Sequence, residues 1–115
     1  MDREFCLMRG MDDSCLLSMT AAPGGRCIFL FSAEHPALSI SVPMQALEDL
    51  GVGGTASFAG EDSMCCVEKE RDVVRIRYIG LEKRARSYEI DATRFETSLI
   101  MLSAKAHDSN FASLS

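Results

Sequence analysis

The stretch GGRCIFLFSAEHPALSISVPMQALEDLG, Gly24 to Gly51, passes from a strand-like to a helix-like hydrophobic period within itself, and that passage decides the fold. RCIFLFS is apolar on both alternating faces, with Cys27, Phe29 and Phe31 on one and Ile28 and Leu30 on the other. A strand of that kind is buried on both sides. EHP, Glu34 to Pro36, interrupts the run, because a proline cannot donate to a strand ladder. ALSISV then alternates with period two, and PMQALEDL moves to a period of about 3.6. Pro43 suits the first turn of a helix, where its missing N–H loses no bond. APGG before the stretch supplies a hairpin turn, and GVGG after it ends the helix.

Working outward, the same organisation recurs. GMDDSC (Gly10 to Cys15) and GEDSMC (Gly60 to Cys65) each run from Gly through acidic residues and Ser to Cys. Each follows a short apolar stretch, EFCLMR or TASFA, and each precedes three strand-like runs. The runs are SCLLSMT, RCIFLFS and ALSISV in the first half, and MCCVEKE, VVRIRYI and RSYEI in the second. A shift of 48 residues places Ile28 on Ile76, Leu30 on Tyr78, Ile40 on Tyr88, Val42 on Ile90 and Leu47 on Phe95. DATRFETSLIMLSAKA closes the second half, with Asp91 as N-cap and Phe95, Leu99, Leu102 and Ala106 on one stripe. The expected fold is α+β: tandem ββββα units, residues 4–52 and 54–107, forming one domain of curved antiparallel sheets with helices packed on one side. Residues 108–115, DSNFASLS, are small and polar with Phe111 as their only anchor, and are expected to form a flexible tail.

At 115 residues the chain fits one domain, and its 47% hydrophobic content allows a modest core. The N-terminal MDREFCLMRG has no continuous apolar segment, and no run approaches the roughly 20 residues that span a bilayer. The expectation is a cytoplasmic protein, or a nuclear one in a eukaryote, without membrane contact. The five cysteines sit within apolar runs and read as reduced, buried hydrophobes rather than a disulfide framework.

The net charge is −5, yet residues 69–94 hold eight Lys and Arg against five Asp and Glu. In VVRIRYI, alternation puts Val74, Ile76 and Tyr78 on one face and Arg75 and Arg77 on the other. Lys83, Arg84 and Arg86 follow in the next hairpin. One reading is a strand surface for a nucleic-acid backbone, with arginines on phosphates and Tyr78, Tyr88 or Phe58 stacking on bases where exposed. The other is a solvated sheet face, on which Arg75 and Arg77 pair across strands with Glu68 or Glu70 and with Glu89. A chain with pI near 4.9 steers nucleic acid weakly.

Two consecutive four-strand-plus-helix units resemble the PUR repeat and the related Whirly and positive-cofactor-four-type proteins. Gly24 to Gly51 resembles the PUR pattern of a Gly-Arg turn, apolar strand, hairpin, Ser-flanked strand and amphipathic helix. VVRIRYIGLEKRARSYEIDATRFETSLIML resembles the strand, basic hairpin, strand and helix of the coactivator type. The resemblance implies single-stranded DNA or RNA as partner, bound through Arg75, Arg77, Lys83, Arg84 and Arg86, and a tendency to dimerise. The first half departs from the family, because its central strand offers Phe29 and Phe31 where polar groups belong. That leaves Cys27, Phe29 and Phe31 as the expected homodimer or partner interface. A competing resemblance, to one domain of a sliding clamp, lacks the long helix that such domains place after their first strand.

Little else points to chemistry. His35 precedes a proline and His107 lies near a helix end, both read as structural. Ser14 and Ser63 lie beside Asp13 and Asp62 without a paired base. Adjacent Cys65 and Cys66 point to opposite faces of a strand, and no spacing completes a metal site. GVGG lacks the Lys-Ser/Thr of a phosphate loop, and the methionines read as core filler. The expected function is therefore non-catalytic single-stranded nucleic-acid binding, without cofactor or metal. The alternative is a protein-interaction or assembly module with no nucleic-acid contact.

Overall fold

A computed structural model describes residues 4–32, 38–60, 63–80 and 85–114, with side chains described as far as Ala104. The chain order is β1 (Glu4–Arg9), β2 (Cys15–Ala22), β3 (Arg26–Phe31), β4 (Leu38–Pro43) and α1 (Met44–Glu48), then β5 (Thr55–Ala59), β6 (Met64–Lys69), β7 (Val73–Ile79), β8 (Ala85–Asp91) and α2 (Ala92–Leu114). The strands form two four-stranded sheets in the orders β1-β2-β3-β4 and β5-β6-β7-β8, and every neighbouring pair is antiparallel. The fold is α+β. No helix among the described residues is long and apolar enough to cross a membrane.

Local chemistry sets the joints. Gly24 and Gly25 take φ of 80° and 70° between the paired Ala22 and Arg26, a left-handed geometry that a side chain at either position would strain. The Gly10 N–H donates to the Ser14 carbonyl and the Gly60 N–H to the Ser63 carbonyl, both at 2.8 Å, so a Gly-to-Ser bond closes each hairpin, the first turn being one residue longer. Pro43, at φ −65° and ψ 127°, stands as the N-cap of α1 rather than inside its first turn. The Asp91 carboxylate accepts the Arg94 N–H at 3.0 Å and starts α2. No Gly or Pro follows before Leu114, so α2 runs past His107 through the segment expected to be a loose tail. The EHP turn and the side chains of His107 and Phe111 lie outside the described residues.

The core lies between the inner faces of the two sheets and the helices. It gathers Leu17, Met19, Cys27, Phe29, Phe31, Ile40 and Val42 from the first sheet and Cys65, Val67, Val74, Ile76, Tyr78, Tyr88 and Ile90 from the second. Met44 and Leu47 of α1 and Phe95, Leu99 and Leu102 of α2 enter the same cluster. α1 packs on β3 and β4, while α2 spans β1, β2, β7 and β8, and β1 lies against β8. Phe31 bridges the halves directly, its ring centroid 4.8 Å from that of Tyr78 and 5.4 Å from that of Tyr88.

Two expectations are corrected. Cys27, Phe29 and Phe31 are fully buried in this core and offer no surface to a second copy. The cause is register. Ile40 pairs with Phe29 while Tyr88 pairs with Ile76, so β3 matches β7 one residue short of the 48 that relates β4 to β8. A one-residue slip exchanges the faces of a strand. The half-buried, outward residues of β3 are Ile28 and Leu30. Cysteine usage also differs, because β1 bulges between Cys6 and Arg9 and a disulfide joins Cys6 to Cys15 on the neighbouring strand, with Cα atoms 5.8 Å apart. Cys27 and Cys65 are buried thiols as expected, and burial pushes both up to about 12.

The register assignment predicts unequal costs for neighbours on β3. Phe31→Ala should lower the urea-derived unfolding free energy by about 3–5 kcal/mol. Leu30→Ala, on the outer face, should cost less than about 2 kcal/mol in the same titration.

Candidate binding surfaces

The outer face of the second sheet is ordered in rows across its strands. Thr55, Glu68, Arg75 and Glu89 form one row, Ser57, Cys66, Arg77 and Ser87 the next, and Ala59, Met64, Ile79 and Ala85 the third. Arg75 stands at the centre of a charge network. Its Nη1 donates to Glu68 Oε2 at 3.3 Å and to Glu70 Oε1 at 3.0 Å. Its Nε and Nη2 both donate to Glu89 Oε1, at 3.3 and 3.1 Å. Glu89 above all, then Glu70 and Glu68, raises the guanidinium further above its already high value. Arg77 Nη1 lies 3.4 Å from Glu68 Oε1. Two arginines thus face three carboxylates, and this part of the ribbon is not a basic surface. A phosphate arriving here would have to displace carboxylates already in place.

Among the described residues, the others expected to bind nucleic acid do not join Arg75 and Arg77. Tyr78 and Tyr88 are only 4% and 8% exposed and pack their rings on Phe31, so neither presents a face to a base. The strand alternation that turned them inward is the same one that turned the arginines outward. Phe58 is half-buried against the core. Arg86 is exposed and engaged within the molecule, and it shares its side of β8 with Tyr88 rather than with Ser87 and Glu89. Lys83 and Arg84 lie outside the described residues.

A second feature went unseen in the sequence. α1 and α2 leave between them an open cleft of about 500 Å3, lined by Leu47, Glu48, Lys69, Glu96, Leu99, Ile100, Ser103 and Ala104. Lys69 ends β6 beneath it, pairs with the Glu96 carboxylate, and donates to the Leu50 carbonyl at 3.3 Å. The loop after α1 is clipped to that strand end, since the Gly53 N–H donates to Lys69 O at 2.7 Å and the Lys69 N–H to Gly54 O at 3.0 Å. Ile100 is 67% exposed at the wall of the cleft, and Met101 beside it is also exposed, so Met101 is not the core filler it was expected to be. The available signal was the apolar run LIML, wider than the stripe through Phe95, Leu99 and Leu102 needs. Among the described residues, no three of His, Cys, Asp and Glu gather as a metal-holding group.

Replacing Arg75 by Gln should lower the unfolding midpoint, because Glu68, Glu70 and Glu89 would then face one another with Arg77 alone between them. The loss, followed by urea denaturation, should shrink as NaCl rises from about 0.05 M to about 1 M, where the screening length falls to about 3 Å. An unchanged midpoint at low salt would mean that the network contributes nothing. No family model matches this chain, and no curated protein or solved structure matches it.

Proposed function

We propose that this chain is a non-catalytic protein-interaction or assembly module, folded from two ββββα units that arose by internal duplication. The observation that carries this reading is the placement of charge. Arg75 and Arg77, the heart of the basic ribbon, are occupied by Glu68, Glu70 and Glu89, whereas the apolar-walled cleft between α1 and α2 stands open. A Gly-to-Ser backbone bond closing the first hairpin of each half, and the inward pairs Phe29–Ile40 and Ile76–Tyr88, support the duplication. The resemblance to PUR-type proteins is one of sequence pattern, and even a shared fold would not assign function. The burial of Tyr78 and Tyr88 takes away the stacking half of a single-strand surface.

Fluorescence anisotropy with labelled single-stranded DNA and RNA tests this reading. An interaction module should give no binding that weakens steeply between low and high salt, and Arg75→Ala/Arg77→Ala should change nothing. Tight, salt-sensitive binding that the double variant loses would overturn it, because phosphate contacts are what salt dissolves.

A further inference from the structure

We propose that the α1–α2 cleft is the docking groove for an amphipathic helix that carries basic residues beside its apolar anchors. This rests on the interaction-module reading and names the partner's chemistry. The groove has the features that such a helix uses. Leu47, Leu99, Ile100 and Ala104 supply apolar walls to an open cleft of about 500 Å3. Helix-in-groove recognition sets anchors at i, i+3 or i+4, and i+7 into a slot of this kind between two helices.

Charge selects the occupant. Lys69, the one cation among the described residues that line the cleft, is neutralised by Glu96 and bound to the Leu50 carbonyl, so it is not free to attract an acidic segment. Glu48 on the opposite wall is exposed and has no ion-pair partner among the described residues. Asp49 follows it, tied through its carboxylate to Gln45 at 2.9 Å. With a net charge of −5, the molecule draws cationic partners over a longer range. A second copy of this chain fits worse, since it would set Glu48 and Asp49 of one molecule against the same acidic rim of the other.

The test uses three fluorescein-labelled probes of about 14 residues, roughly 21 Å of helix. The first is an amphipathic Leu/Lys peptide, the second replaces its Lys by Glu, and the third shuffles the first to erase its apolar face. Each is titrated by anisotropy against the wild-type chain and against Ile100→Glu, Ala104→Trp and Glu48→Lys, whose positions are exposed and whose fold is checked by circular dichroism. The Leu/Lys helix should bind at least about tenfold more tightly than either control, a difference of about 1.4 kcal/mol. Ile100→Glu and Ala104→Trp should each weaken it about tenfold or more, as the loss of an anchor pocket does. Glu48→Lys should weaken the Lys peptide severalfold and narrow its advantage over the Glu peptide.

Equal binding of the shuffled peptide, or indifference to Ile100→Glu, would overturn the groove, leaving only attraction between opposite charges. So would the absence of binding by all three probes. In that event sedimentation velocity separates the two levels of the account. Self-association abolished by Ile100→Glu would make the cleft an interface between copies, which overturns the helix partner and keeps the interaction module. Salt-sensitive binding of single-stranded DNA would overturn both.

Discussion

The ring of Phe31 against Tyr78 and Tyr88 is the contact on which the rest of the molecule depends. Each sheet is complete in its own hydrogen bonds, so nothing in the backbone ladders joins one half to the other. The union is made by side chains, and these three rings meet across it with centroids 4.8 and 5.4 Å apart. Tilted aromatic pairs contribute about 0.5–1.5 kcal/mol beyond their buried area. Once the sheets are held in this way, α2 can span strands of both, and α1 comes to lie beside it. The cleft between the helices is a consequence of that packing.

The same contact explains why the basic ribbon does not behave as a ribbon. Committing Tyr78 and Tyr88 to the core fixes which face of β7 and β8 meets solvent. Arg75 then stands in a row between Glu68 and Glu89, with Glu70 at the strand end. The excess of positive charge counted along the chain disappears when neighbours are counted across strands. Arg86, although close in sequence, turns to the other side of its strand.

Most of the fold was legible. Apolar runs and alternation placed the eight strands, the period change at Pro43 and Asp91 placed the starts of both helices, and glycine, proline or charged residues marked the turns. These are local signals, written within a few residues. The errors arose where one residue decided a long-range relation. A slip between β3 and β7 was enough to present Cys27, Phe29 and Phe31 as surface. The disulfide between Cys6 and Cys15, beside a bulge in β1, leaves no periodic trace. The cleft was beyond reach for a similar reason, since Lys69 and Glu96 meet only after two sheets and two helices have packed. Of the candidate site, the sequence already contained the right partners for Arg75, but only the register chose between a solvated network and a phosphate surface.

The central claim is that the two sheets form one cooperative body through the Phe31 contact. Native-state hydrogen exchange measures this most directly, by assigning an opening free energy to each protected amide along β2 and β3 and along β6 and β7. The account predicts that the slowest amides of both sheets share one opening free energy, equal to that of global unfolding. Two separate values, with one sheet exchanging through an opening that leaves the other closed, would contradict it.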